Sequence, residues 1–315
     1  MGIGLVKMDS GSQPRIAIVI LTYSQGDLLE DCLKSLKKFT NYKNYRIFVV
    51  DNQSESKIGE RIKKNFKEVR VIINDKNYGF SKGNNIGINI AKKEYNPDYF
   101  LILNDDTEFF QKGWLQKTLK VFEKDRKTGL VGCKLVYPDK RLQNAGGFLK
   151  GSNITRIQKI GKRETLEVDH VMGAFMLVKR EVMDKLNGFD EDYSPYLLED
   201  TDYCLRAKKL GFKIKSFGGV EVIHKAHQSL KKSKDPKLFF RFKNDLIFSW
   251  RHLNFWNFLF RSFVYLPAVA LFQKKDEDRI EWKNLYLRKD FIFSIFYLVK
   301  AYLFILGGRN NEKFR

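Results

Sequence analysis

The strongest constraint in this sequence is an alternation running through its first half. Residues 15–21 (RIAIVIL), 46–50 (RIFVV), 69–73 and 99–103 (YFLIL) are short β-branched or aromatic runs. Runs of that length without polar interruption suit strands buried on both faces. Between them apolar residues recur at helical spacing: Leu28, Leu29, Cys32, Leu33 and Leu36, then Ile58, Ile62 and Phe66 on one face. Helices are also predicted over 79–91 and 114–122. Such alternation specifies an α/β domain, a mostly parallel, Rossmann-like sheet flanked by helices.

In such sheets ligands sit beyond the carboxyl ends of the strands. The rule singles out Thr22, Tyr23 and Ser24, then Asp51 and Asn52, residues 74–80, and Asn104, Asp105 and Asp106. After Gly129 the pattern changes. Strands are expected over 129–136, 174–178, 213–217 and 220–223, a turn at Ala145, Gly146 and Gly147, and a helix over 199–209. Residues 151–167 are polar and basic without a clear period and read as a loop.

Charge narrows the partners. The chain of 315 residues carries a net +21, which favours anionic ligands or surfaces. Residues 231–315 hold 18 Lys and Arg against 8 Asp and Glu, an excess of +10. They also contain two aromatic, apolar runs, 255–272 and 291–306, each broken by a cation, Arg261 and Lys300. A membrane span needs about 20 apolar residues and tolerates a central charge poorly. The runs are therefore expected to be helices lying in an anionic membrane surface; core or dimer-contact helices are the alternative. The division expected is 1–230 and 231–315. Cys32, Cys133 and Cys204 show no CxxC spacing and read as reduced thiols. Residues 1–15 lack the long apolar run of a secretory signal, so a cytosolic active site is expected.

Five clusters carry candidate chemistry. Asp51, followed by Asn52 and Ser54, suits either a base or ribose hydroxyl, or a turn or helix cap. The segment 77–87 (NYGFSKGNNIG) has three glycines opening a helix, which lets backbone approach a phosphate or simply makes a helix-start turn. Asp105 and Asp106 are adjacent carboxylates at a strand end, a pairing a cation relieves; oxygen ligands suit magnesium or manganese. Glu199, Asp200 and Asp202 open a helix, as a general base with neighbours or as macrodipole partners. His224 and His227 follow a strand-like run and are either metal ligands or structural.

The order of these clusters resembles the family-2 glycosyltransferases of the GT-A fold, within them the rhamnosyltransferase-like bacterial branch. The likeness runs from about residue 15 to 253 through VILTY (19–23), VVDNQS (49–54), NYGFSKGNNIG (77–87), LILNDDT (101–107), KLVYPDKRLQNAGG (134–147), GAFMLVKR (173–180), GFDEDYSPYLLEDTDYCLR (188–206) and His224. The resemblance implies direct displacement with inversion, in cell-surface polysaccharide synthesis, from a nucleotide-diphosphate sugar (dTDP-rhamnose or a UDP-sugar) to a glycan or lipid-linked acceptor. By analogy Thr22, Tyr23, Asp51 and Asn52 hold the nucleoside, and Asn77, Gly79, Phe80 and Asn84 sit beside the diphosphate. Asp106 and His224 bind Mn2+ or Mg2+, with Asn104 and Asp105 in support. Asp200 is the catalytic base, with Gly173, Ala174, Glu199 and Asp202 on the acceptor side. The family's DxD pattern reads Asn104–Asp105–Asp106, without its first carboxylate. The expected location is peripheral, on the cytoplasmic face of the cell membrane, with a homodimer as one possible assembly. Two rival readings are a nucleic-acid-binding protein, which lacks a recognisable module here, and an inactive scaffold of the same fold, which intact Asp106, Asp200 and Asp202 argue against.

Overall fold

The computed structural model describes residues 13–23, 26–54, 57–225, 237–273, 286–287 and 291–307. Ser24, His227, residues 1–12 and the expected boundary near 231 lie outside them. The first half alternates as the sequence predicts: β1 (Ile16–Thr22), α1 (Gly26–Phe39), β2 (Tyr45–Asp51), α2 (Ile58–Asn65), β3 (Arg70–Ile73), α3 (Gly79–Tyr95) and β4 (Tyr99–Asn104). The four strands are parallel, in the order β3-β2-β1-β4. Strand β1 shows why the apolar runs form the sheet's centre. Ile16, Ile18 and Ile20 enter one core, Ala17 and Val19 the core on the opposite face, and none is exposed.

The glycines of α3 serve packing. A Cβ at Gly83 would lie 2.5 Å from Leu21, and one at Gly87 2.7 Å from Val50. The helix can seat against the sheet because those positions carry no side chain.

The second half is mixed. It adds β5 (Thr107–Phe109), α4 (Trp114–Lys124), β6 (Thr128–Val136), β7 (Leu142–Asn144), β8 (Gly147–Lys150), β9 (Asn153–Arg156), β10 (Thr165–Val168), β11 (Phe175–Lys179), α5 (Arg180–Leu186), α6 (Glu199–Lys209) and β12 (Lys213–His224). Strand β11 enters antiparallel between β4 and β6, while β12 runs parallel to β6 and carries β10 and β5 along it. The expected loop at 151–167 thus contains β9, half of a hairpin with β8, and edge strand β10. Both are four residues long and largely polar, so neither produces an apolar run. The two strands expected at 213–217 and 220–223 are one, with a shift in pairing between Phe217 and Glu221 at Gly218 and Gly219.

Five further elements cover one side: α7 (Lys237–His252), α8 (Phe255–Phe260), a π-helical turn (Arg261–Tyr265), α9 (Leu266–Leu271) and α10 (Phe291–Leu306), with a short pairing of β13 (Phe272–Gln273) and β14 (Tyr286–Leu287). Among the described residues, no helix is long and apolar enough to cross a membrane. Helix α7 covers the 190–205 region: Ile247 and Phe248 pack on Tyr193 and Leu205. Arg261, expected at a membrane surface, is buried and ion-paired with Asp245 of α7, with a further hydrogen bond to the Ser152 carbonyl. Large apolar side chains remain outward: Trp250 is 70% exposed, Trp256 77%, Phe263 63% and Phe293 67%.

Candidate active site

A cavity of about 500 Å³ opens beyond the carboxyl ends of β1, β2 and β4. That volume suits a small-molecule ligand. Twelve of the residues expected from the sequence line it: Tyr23, Asn52, Asn77, Gly79, Phe80, Asn104, Asp106, Gly173, Ala174, Glu199, Asp200 and His224. Thr22, Asp51, Asn84, Asp105 and Asp202 lie behind its wall.

One corner is built by β4 and β12. The pairing of β12 with β5 sets His224 opposite Thr107, which brings the imidazole beside the turn at the end of β4. His224 Nε2 lies 3.2 Å from Asp106 Oδ1, and Asn104 Nδ2 donates to it at 3.3 Å. Nδ1 sits 2.6 Å from Gln143 Oε1, and Gln143 Nε2 donates to the His224 carbonyl, which fixes the amide's orientation. An amide oxygen has no proton to give, so Nδ1 carries a hydrogen, and in the neutral imidazole the lone pair is then on Nε2. Asp106 Oδ1 is buried without a hydrogen-bond partner; its contact with His224 is close without having hydrogen-bond geometry. Two electron-rich atoms so placed repel unless a cation lies between them. A histidine tautomer fixed through its other nitrogen is the usual form of a metal ligand. The corner therefore fits a divalent ion. Among the described residues no cluster of three or more His, Cys, Asp or Glu side chains adds further ligands.

Asp105 has a different role from the one the resemblance implies. It is buried and accepts a hydrogen bond from Thr22 Oγ1 at 2.6 Å. Burial, followed by the neighbouring Asp106, pushes its carboxyl up to about 8. The pair joins β1 to the β4 turn from behind.

The turn after β2 rests on side-chain amides. Asn52 Oδ1 accepts from Asn74 Nδ2 and Tyr78 N, and Asn52 Nδ2 donates to Asn77 Oδ1 and the Gly79 carbonyl. Asn84 is fully buried and donates to the Phe80 carbonyl. Asp51 is occupied locally: it accepts from Ser54 N and Oγ and, at 2.8 Å, from Gly59 N in the first turn of α2. These local bonds are those of its turn reading; the N-cap of α2 is Lys57. Gly79 has φ +75°, and a Cβ there would meet the Pro195 backbone at 2.7 Å. It is needed for the approach of the 190–198 loop, whose Pro195 carbonyl accepts from Phe80 N at 2.7 Å.

On the facing wall Asp200 is half-buried. Its Oδ2 accepts from Gly173 N at 3.0 Å, and Oδ1 from Thr201 N at 2.6 Å. Neighbouring Glu199 is buried, with Oε2 unpartnered. Burial, then the Asp200 charge, holds its carboxyl well above the usual carboxylate range. Asp202 is not on the acceptor side. It is completely buried, bonded to Arg206, His252 and Tyr193. Burial raises its carboxyl, but His252 and Arg206 outweigh that and hold it below the usual range. The helix period explains the error: Asp200 and Asp202 are 200° apart on α6 and cannot face one cavity. The sequence reading missed His170, Arg156 and Gln143, which also line the cavity. Burial lowers the His170 imidazole against the opposing pull of Asp200, and favours its neutral form. Gln143 lies within the quoted NAGG-containing segment; its spacing alone gives no hint of contact with His224.

Comparison with known proteins agrees with this layout. The family model "Glycosyl transferase family 2" matches residues 17–186, just over half of the chain, and "N-terminal domain of galactosyltransferase" matches 157–228. The chain is 28% identical over 280 residues to rhamnosyltransferase WbbL of Escherichia coli K12, covering 84% of this chain and 97% of that protein. It is 25% identical to an N-acetylglucosaminyl-diphospho-decaprenol L-rhamnosyltransferase of Mycobacterium tuberculosis, covering 70% and 78%. Against an uncharacterized Sinorhizobium fredii protein, y4gI, identity is 26%, and the chain spans only 29% of that protein's length. Among solved structures, GalNAc-T7 with UDP, GalNAc and Mn2+ superposes with a TM-score of 0.57 at 16% identity, covering 76% of this chain and 51% of that one. Mannosyltransferase PcManGT of Pyrobaculum calidifontis with GDP-Man and Mn2+ gives 0.55 at 14%, covering 95% and 88%. The fold is the GT-A glycosyltransferase fold. The chain belongs to glycosyl transferase family 2.

Proposed function

We propose that the protein moves a hexosyl group, with rhamnose as first candidate, from a nucleotide-diphosphate sugar to a hydroxyl of a glycan or lipid-linked acceptor, with inversion. The carrying observation is one cavity that sets the Asp106–His224 corner against Asp200. Asp200 accepts the acceptor's proton as its oxygen attacks the anomeric carbon from the face opposite the departing diphosphate. Gly173 N and Thr201 N donate to its two oxygens and orient the carboxylate for that task. Asp106 and His224 would hold Mn2+ or Mg2+, which supplies charge neutralisation to the leaving diphosphate. Asn52 and Asn77 shape the turn beside which the nucleotide lies. Rhamnose and a lipid-diphosphate acceptor are suggested by the named activities of the two rhamnosyltransferase relatives, with polysaccharide synthesis as the setting.

The test is calorimetric titration with dTDP and UDP, with and without Mn2+, beside nucleotide-release assays of Asp200→Asn. Asp200→Asn should lower transfer by about 10²–10⁴ with nucleotide affinity unchanged. Failure of both nucleotides to bind under every metal condition rejects the reading.

We further propose that the protein sits peripherally on the cytoplasmic face of an anionic membrane. Outward Trp250, Trp256, Phe263 and Phe293 support this reading, together with the basic excess of 231–315.

A further inference from the structure

The two residues just before the catalytic helix are held where leucine is disfavoured. Leu197 and Leu198 have φ of +85° and +70°. In that region Cβ crowds the carbonyl oxygen, so a non-glycine residue stays there only when its surroundings hold it. Leu198 is also the N-cap of α6, and its carbonyl accepts the first helical bond from Asp202 N at 2.8 Å. The backbone at Leu198 therefore sets the direction of the first turn of α6 and the aim of Asp200.

What holds these residues comes from α7, some fifty residues further along the chain. Asn244 is fully buried, and its Nδ2 donates to the carbonyls of Tyr193 at 2.8 Å, Tyr196 at 2.7 Å and Leu197 at 3.0 Å. Lys243 Nζ donates to the carbonyls of Asp192 at 2.6 Å and Ser194 at 2.7 Å. Three carbonyl oxygens around one atom fix the amide's orientation, because reversing it would set oxygen against oxygen. Asn244 Oδ1 has no hydrogen-bond partner. The side chain is thus present for its donors, at the expense of an unsatisfied buried acceptor. Asn244 does not line the cavity.

We infer that Asn244 is a positioning residue for transfer: it clasps the carbonyls of Tyr193, Tyr196 and Leu197, keeps Leu197 and Leu198 in their left-handed conformation, and so aims Asp200 at the acceptor hydroxyl. This rests on the reading of Asp200 as the base. Aspartate at 244 would put charge against three carbonyl oxygens, and glutamine's extra methylene would move the donor off its three acceptors. The distinction from simple support is that the strain lies in the leucine backbone, so removing the strain should partly replace the clasp.

The experiment uses the full chain and compares wild type, Asn244→Ala, Asn244→Ala/Leu198→Gly and Asp200→Asn. It reads kcat and donor KM by nucleotide release, and dTDP or UDP affinity by calorimetry. Displacing a reacting group by about 1 Å costs on the order of 10² in rate, so Asn244→Ala should lower kcat by about that factor. Nucleotide affinity should stay within about twofold, because the loss falls on kcat rather than on ground-state binding. Glycine adopts positive φ freely, so Leu198→Gly in the Asn244→Ala background should recover about tenfold of the lost rate. If the alanine protein does not fold, Asn244→Ser, which keeps one donor, is read in the same way. The inference is overturned if the Asn244 variant keeps wild-type kcat, or if glycine at 198 restores nothing. Asp200→Asn separates the failures. Full activity there removes the base reading itself; a dead Asp200→Asn beside a fully active Asn244→Ala removes only the clasp.

Discussion

The parallel half of the sheet and the helices after residue 237 are held by different forces. Strand β1 sits between two apolar cores with all its central side chains unexposed. Helix α7 also covers apolar groups, but its ties to the rest of the chain include polar ones, buried for Asn244 and Lys243 to carbonyls and for His252 to Asp202 at 2.8 Å, and half-buried for Arg251 to Asp190 and Asp192. Apolar burial is non-directional and tolerates small shifts in geometry. Buried hydrogen bonds demand particular angles and are costly when broken. The sheet therefore secures the existence of the fold, while the helical cover secures the geometry of one loop.

The harshest challenge to this contrast is removal of the cover. Deleting 231–315 uncovers Tyr193 and Leu205 and strips the 190–198 loop of its donors. Each large apolar side chain returned to water forfeits about 1.5–3 kcal/mol, against a typical total stability of about 5–15 kcal/mol. The expected result is loss of transfer to background, with a melting transition that is lowered but still cooperative. A truncated protein that melts cooperatively and still transfers sugar would reduce the cover to an accessory.

A gentler test concerns the outer side of the same helices. Trp256→Ala/Phe263→Ala should leave transfer to a soluble acceptor unchanged and weaken sedimentation with phosphatidylglycerol vesicles by about tenfold or more, since each aromatic buries substantial apolar area. Binding of the wild type should weaken with salt yet persist, because salt screens the cations and not the aromatics. Wild-type protein that remains in the supernatant at low salt removes the membrane proposal, and concentration-dependent sedimentation without lipid would assign the face to a second copy.

The smallest effect belongs to the junction between the regions, at Glu199. Burial holds its carboxyl protonated in the folded chain above the pH at which the unfolded chain releases its proton, near the ordinary glutamate value of 4.5. A raised folded value means stability is fully present below that pH and is lost as pH rises toward the folded value. Glu199→Gln removes the loss. The melting temperatures of the two proteins should agree near pH 4 and diverge above it, with the glutamine protein the more stable. Parallel curves from pH 4 to 9 would show that Glu199 is solvated after all.

The contrast also explains what was legible in the sequence. Residues such as 15–21 and 99–103 announce strands because burial on both faces leaves no room for polar side chains. The ends of those strands gave the cavity, including Asn104, Asp106 and Asn52. The polar ties were not legible. Asn244 sits in an ordinary amphipathic helix, and its three acceptors are backbone groups that exist at every residue. Asp202 looked like a site residue for the converse reason: a carboxylate that pairs with Arg206 and His252 has the same letter as one that meets substrate. The short strands β9 and β10 escaped because four residues with polar interruptions make no apolar run, and β10 in addition pairs with a strand some fifty residues further on.

The approach of Gly79 to Pro195 has a consequence for inheritance. Any side chain at 79 is excluded both by the positive φ and by the loop backbone 2.7 Å from where its Cβ would stand. Phe80 N bonds the same proline, and α7 grips the loop from the other side. Three stretches far apart in the chain, near 79, 190–198 and 243–252, thus form one heritable unit. A loop from a relative with a different acceptor preference, grafted alone, would meet a turn and a helix shaped for another backbone. Acceptor preference in such enzymes should therefore diversify by changes within the cavity, at positions such as Arg156 and His170, more readily than by exchange of the loop that leads into α6.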